Sequence, residues 1–269
     1  MMNLLSRILV LLITGFVPLH AQQSMINLSA RYIEDNETKS KSIQFRADET
    51  AIIICDMWDK HWCKTATDRV GEMAPLMNRV VKHARSKGVE IIHAPSSTMA
   101  HYAKHPGRKR MQRAPAHPSS NQIEDWYYLD SLREGSLPID DSDGGCDDPK
   151  SDCVHCNVWS KQIETIEMEA KDGISDSGRE IHNYFVKKGI KNVLLVGVHT
   201  NMCVLGRSFG IRSLTHLGYE VVLVRDLTDT MYNPKMPPQV SHSEGTALVI
   251  QHVEKYWCPT ITSNQVLNN

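Results

Sequence analysis

Two kinds of segment alternate along this chain, and their order limits the folds open to it. Residues 51–55 (Ala-Ile-Ile-Ile-Cys) form a short apolar run rich in β-branched side chains that ends at Asp56, the pattern of a strand buried on both faces. Residues 74–87 carry apolar side chains at Leu76, Met77, Val80, Val81 and Ala84, which is helical spacing, and Gly88 stops the run. A second strand is predicted over 89–94. The rhythm resumes with a helix over 176–188, capped by Ser175 or Ser177 and closed by Gly189. A strand over Asn192–Val198, a helix over 204–217 ending at Gly218, and a strand over 220–224 follow. Strands alternating with helices through short glycine turns imply an α/β fold. Its sheet would be parallel and doubly wound, with helices on both faces in three layers. Between the two rhythmic parts, residues 95–160 are rich in Pro, His, Lys and Asp and poor in apolar runs, so they read as a long insertion with a role as lid or interface.

The first 21 residues stand apart. Arg7 is followed by an apolar run over 8–19 and then by Leu19-His20-Ala21, the three-part build of a secretory signal peptide with cleavage after Ala21. The run is short of the roughly 20 residues that span a bilayer, so no stable membrane anchor is expected. The reading is a secreted or periplasmic protein in which residues 22–269 form one domain and thiols can oxidise. Thirty Lys and Arg balance 31 Asp and Glu. That near-neutrality removes the electrostatic case for a nucleic-acid partner and points to a small molecule recognised in a pocket.

Open parallel sheets bind ligands at the carboxyl ends of their strands. The residues there are Asp56, 93–97, 199–203 and 226–229. Among them Asp56 and Cys203 form a chemical pair. Cys203 sits where a strand turns into a helix, and a helix N-terminus lowers a thiol pKa and offers N–H groups to a developing oxyanion. The alternative is a buried structural thiol. Cys55 alternates to the other face from Asp56 and reads as core.

The run Gly197-Val-His-Thr-Asn-Met-Cys-Val204, preceded by Lys188-Gly-Ile190 and coupled to Ile53-Ile-Cys-Asp56, resembles the isochorismatase-like cysteine hydrolases, which include nicotinamidases and carbamoyl-amide hydrolases. The resemblance implies a Cys nucleophile at Cys203, an Asp base at Asp56 and a supporting Lys. Lys171 is the first choice for that lysine and Lys161 the second. It also implies an oxyanion hole made by the backbone N–H groups of Cys203 and His199, a non-proline cis peptide just before His199, and assembly into homo-oligomers. The activity implied is hydrolysis of a C–N bond in a small amide. Ether or ester cleavage on the same scaffold, and a non-catalytic binding protein that has lost the Lys, are the alternatives. Some nicotinamidases hold a metal through an Asp-x-His pair. Here His93-Ala-Pro-Ser-Ser-Thr-Met lacks it, so no metal or other cofactor is expected at the thiol.

Trp58, His61 and Trp62 are expected to wall the pocket, with Asn201 beside the nucleophile, where it and Thr200 also shape the turn. Arg207 either faces the pocket or pairs with Asp226 or Asp229, and Tyr232 and His242 are weaker lining residues. In the insertion, Asp140, Asp141 and Asp143 precede Cys146, Cys153, His155 and Cys156. A metal site is possible chemistry there, but disulfides are the favoured reading: one bond within the three cysteines, the third reaching Cys63 or Cys258. His101, His105 and His117 are solvated or hold an unrelated metal. The basic run over 107–113 either steers an anion or is a plain surface loop.

Overall fold

The computed structural model describes residues 24–148 and 156–269. The signal-peptide reading, and the disulfide and metal readings at Cys153 and His155, fall outside them. Eight strands form one sheet in the order β2-β1-β8-β7-β6-β3-β4-β5. The strands are β1 (Met25–Glu34), β2 (Glu37–Arg46), β3 (Thr50–Cys55), β4 (Glu90–Ala94), β5 (Gly173–Ile174), β6 (Asn192–Val198), β7 (Glu220–Asp229) and β8 (Thr260–Ile261). From β8 through β5 all neighbours run parallel, while β1 is antiparallel to both β2 and β8. This is the mostly parallel open α/β sheet that the alternation implies.

Helices cover both faces: α1 (Lys64–Ser86), α2 (Pro106–Gln112), α3 (Gly178–Lys188), α4 (Ile211–His216), α5 (His242–Tyr256) and α6 (Ser263–Leu267). Every residue of β3 is buried, and its side chains divide strictly by parity. Ile52 and Ile54 join Val70, Met77, Val80 and Val81 of α1 in one core layer. Ala51, Ile53 and Cys55 join Phe185 of α3, Leu214 of α4 and Val253 of α5 in the other. Cys55 is accordingly a core residue.

Three local structures depart from the sequence reading. Helix α1 begins ten residues before 74, because Ala66 and Val70 extend the buried stripe through a stretch whose other side chains are polar. The chain after Cys203 is not one helix: a π-helical turn spans Thr200–Val204, and regular α-helix starts only at Ile211. Gly206 marks the interruption, since a Cβ there would lie 2.6 Å from the indole of Trp126, which the insertion presses against this backbone. Finally, the β1–β2 hairpin was not anticipated. Ile26, Leu28 and Ala30 are buried in strict alternation. Asp35 and Asn36 make its two-residue turn with φ of 55° and 61°, a conformation Asp and Asn tolerate better than most residues.

The chain leaves β3 towards β4 and β5, then returns to β6 on the other side of β3. The β3–β6 junction is therefore the point where the winding reverses, the place beyond the strand ends where open parallel sheets bind ligands. Cys55 pairs with Gly197 at that end. Gly197 has φ of 109°, and a Cβ on it would stand 2.0 Å from the Cys55 carbonyl oxygen, so only glycine lets β6 lie this close to β3.

Candidate active site

The junction brings Asp56 and Cys203 together. Asp56 follows β3 with φ of 48°, a left-handed conformation that turns its side chain back over the strand ends. The carboxylate is fully buried and held at both oxygens. Oδ1 accepts the Ser96 backbone N–H at 2.7 Å, and Oδ2 accepts Nε–H of Arg207 at 3.1 Å. Cys203 is buried within the π-helical turn, where the Asp56 carboxylate and the Arg207 guanidinium are the charges that act on its sulfur. Burial pushes the thiol up to about 12, the Asp56 charge adds to this, and Arg207 opposes it. The resting sulfur is therefore a thiol at neutral pH, beside a carboxylate placed to remove its proton.

Arg207 turns out to be the third member of this group. Of the placements open to it, the structure has it face the thiol and pair with Asp56, not with Asp226 or Asp229. Burial works against its charge, but the Asp56 carboxylate and the Cys203 sulfur hold its pKa above the ordinary arginine value. Its guanidinium lies 5.5 Å from the Trp126 ring centroid, and Trp126 bridges to it through the backbone.

Neither lysine reaches the group. Gly173 pairs with Ile92, so Lys171 stands level with Glu90 at the start of β4, whereas Asp56 lies beyond Ala94 at its end. At about 3.3 Å per residue that separation is roughly 15 Å along the strands, with two strand spacings added across the sheet. The Lys171 side chain is 64% exposed and lies 3.4 Å from Glu169. The ammonium of Lys161 pairs with Glu164. The lysine that the resemblance implies thus stands at the wrong end of the sheet, because it lies two residues before β5, whose Gly173 pairs with Ile92 in the middle of β4.

The aromatic residues do gather at the junction. Trp58 stacks on Trp159 with ring centroids 4.3 Å apart, and its Nε1 donates to the Ser96 carbonyl at 3.0 Å. His61 stacks against Trp159 at 5.7 Å and meets His199 edge-on at 5.1 Å. Trp62 tilts against His61 at 5.0 Å and packs by Cys63, Ala66 and Met231. Trp159 was not singled out from sequence; it comes from the end of the insertion, where Ser160 and Lys161 donate their N–H groups to Asp59. Burial, and then the neighbouring His61, lower His199 to about 3, so its imidazole is neutral. The Val198–His199 peptide is cis, as the resemblance implies.

Asn201, expected to line the pocket, is engaged in holding the turn. Its Nδ2 donates to Asp141 Oδ2 at 2.7 Å and to the Met231 carbonyl at 3.0 Å, while Oδ1 accepts the Met231 N–H at 3.0 Å. Thr200 is tied to Thr228 and to the Asp229 carbonyl. Tyr232 and His242 are structural too: Tyr232 gives its hydroxyl to the Met236 carbonyl, and His242 pairs with Asp229 at 2.9 Å. His105 and His117 each cap a short helical turn through a ring nitrogen.

Cys146 is joined to Cys63, which ties the acidic part of the insertion to the N-terminus of α1. Cys156 is also in a disulfide, and Cys258 is free and buried. Cys63, Cys146 and Asp148 lie close enough to share a metal ion, but the two sulfurs are bonded to each other. The staple is reinforced by Asp148, which accepts the Lys64 and Thr65 N–H groups, and by Asp147, which pairs with Arg69 at 2.9 Å. No helix among the described residues is long and apolar enough to cross a membrane.

Residues 164–265 match the family model of the Isochorismatase domain. That span is less than half of the chain; it contains Cys203 and Arg207 but not Asp56. No curated protein matches the sequence. The fold is similar to that of a cysteine hydrolase from Pseudomonas syringae pv. phaseolicola 1448A, with TM-score 0.51 and 14% identity over 83% of this chain and 93% of that one. An isochorismatase from Pseudomonas putida KT2440 aligns with TM-score 0.48 and 14% identity over 82% of this chain and 91% of its own. An isochorismatase-like hydrolase from Alkaliphilus metalliredigens aligns with TM-score 0.48 and 14% identity over 82% and 96%.

Proposed function

We propose that this chain is an exported cysteine hydrolase of the isochorismatase-like class that cleaves the C–N bond of a small amide. The observation that carries the reading is the buried group at the β3–β6 junction, where the Cys203 thiol meets a carboxylate already held by a cation. In this reading Asp56 takes the Cys203 proton as the thiolate forms and attacks the substrate carbonyl. The backbone N–H groups of Cys203 and His199 hold the oxyanion. Asp56 then passes the proton to the departing amine, and in the second half it activates the water that hydrolyses the thioester.

Arg207 takes the part that the resemblance assigns to lysine. Its Nε–H fixes the Asp56 carboxylate, and its charge offsets the thiolate as that forms. Because this cation is committed to Asp56, and His199 is neutral, the junction brings together aromatic rings and no spare positive charge from these residues. That favours a neutral amide over a carboxylate-bearing vinyl ether. Export is supported by the Cys63–Cys146 disulfide, since such bonds persist in oxidising compartments.

The test is ammonia release across a panel of small primary amides, with intact-mass detection of an acyl adduct on Cys203. Hydrolysis that disappears in both Cys203→Ala and Asp56→Asn, with the adduct mapping to Cys203, is the expected result. Activity surviving in Cys203→Ala would exclude the nucleophile. A panel with no turnover and no adduct would favour a binding protein.

A further inference from the structure

A cleft of about 530 Å³ opens at the other end of the sheet from Asp56 and Cys203, where β4 begins. Arg85 of α1, Arg110 of α2, Lys171, and Lys187 and Lys188 of α3 all line it. These five cations come from four separate segments, and two carboxylates, Glu90 and Asp172, face them.

Both carboxylates are already engaged. Asp172 receives Nε and Nη2 of Arg85 at 3.0 and 2.8 Å, together with His93 at 3.1 Å, and is almost wholly buried. Glu90 accepts the Tyr184 hydroxyl at 2.7 Å and lies 3.1 Å from Lys188. Glu169 at the rim lies 3.4 Å from Lys171 and, outside hydrogen-bond geometry, 3.4 Å from Nη1 of Arg85. Counting Glu169, the cleft keeps a surplus of two positive charges in a chain whose net formal charge is -1. Lys187 has no carboxylate within ion-pair distance among the described residues, and both it and Lys171 are exposed to the opening.

Such a concave surface, with the Arg85 guanidinium held by Asp172, that of Arg110 held by the carbonyls of residues 170–172, and the exposed ammonium groups of Lys171 and Lys187 beside them, concentrates anions. A singly charged ion would leave part of the surplus uncompensated, and the volume exceeds what one small ion fills. We propose that this cleft is a binding site for a compact multivalent oxyanion, separate from the Asp56–Cys203 centre and independent of the hydrolase reading. Phosphate esters and tricarboxylates share that chemistry.

The test is calorimetric titration of the intact protein with pyrophosphate and, separately, with citrate, at constant ionic strength. Saturation by at least one of them at one per chain is expected, and the stronger of the two identifies the source. The double variant Lys171→Gln/Lys187→Gln should weaken that binding at least tenfold. Lys39→Gln/Lys255→Gln removes the same charge at the far, hairpin side and should leave binding unchanged. No saturable binding of either anion would overturn the proposal. So would equal weakening in the two double variants, which is the mark of net charge alone, or undiminished binding in Lys171→Gln/Lys187→Gln.

Discussion

Replacing Arg207 with Met removes a charge and little volume, and the consequences can be sized from its surroundings. Asp56 is fully buried and keeps only the Ser96 N–H once Nε is gone. Removing one partner of a buried pair typically costs about 3–5 kcal/mol. The Arg207 side chain is 25% exposed, so the lower end, about 3 kcal/mol, is the better expectation here. The catalytic effect is separate. Cys203 loses the one nearby charge that lowers its pKa while Asp56 continues to raise it. Deleting a group that stabilises charge in the transition state costs roughly 10²–10³ in rate. Arg207→Lys keeps the charge but not the Nε geometry or the guanidinium contact with Trp126, and should recover part of both losses. The assays are urea unfolding and kcat/KM for an amide that the native protein turns over. Arg207→Met retaining kcat/KM within about twofold of native, or Arg207→Lys behaving no better than Arg207→Met, would refute the assignment.

Three other perturbations test the frame around the site. Burial opposes ionisation of Glu134, but hydrogen bonds from His252, Arg212 and Trp257 outweigh it and lower the carboxyl from 4.5 to about 2. Its stabilisation is therefore complete above the ordinary glutamate range and lost as pH falls towards 2; Glu134→Gln should remove on the order of 3 kcal/mol at pH 7 and flatten the acid limb of an unfolding profile. Burial lowers the pKa of His242, yet Asp229 holds the imidazolium and the net shift is upward. That stabilisation is full below the ordinary histidine value and fades as pH rises through the raised one, so denaturation midpoints should fall between mildly acidic and alkaline pH, and His242→Gln should lose that slope. The Cys63–Cys146 bond closes a sequence separation of 83 residues. Chain entropy then gives about 4.5 kcal/mol, and Cys63→Ala/Cys146→Ala should shift the urea midpoint accordingly; an unchanged midpoint would mean that the Asp147 ion pair and the Asp148 hydrogen bonds hold the insertion without the bond.

Read along the chain, periodicity alone was enough for the sheet's parallel core. β-Branched runs such as 51–55 can be buried on both faces only between helices, and each helix that covers them repeats its apolar residues every three or four positions. The residues beyond the strand ends are legible for the same reason, so Asp56 and Cys203 stand out from the sequence pattern. The β1–β2 hairpin escaped notice although Ile26, Leu28 and Ala30 alternate, because its outer strand is polar and exposed and presents no apolar face.

What the one-dimensional pattern could not supply was register and direction. Lys171 is close in sequence to β5, but where β5 pairs on β4 decides at which end of the sheet that lysine stands. Arg207 is four residues past Cys203, and the choice among Asp56, Asp226 and Asp229 depended on the π-helical turn that aims its side chain. The insertion reads as polar and irregular, yet it brings Trp126 to Arg207 and Trp159 to Trp58, and it is tied down by a disulfide, ion pairs and backbone bridges between residues far apart in the chain. Local spacing determines which elements form, because side-chain burial within an element repeats with its own period. Which charges meet is set by contacts between elements, and those exist only once the sheet has closed its register.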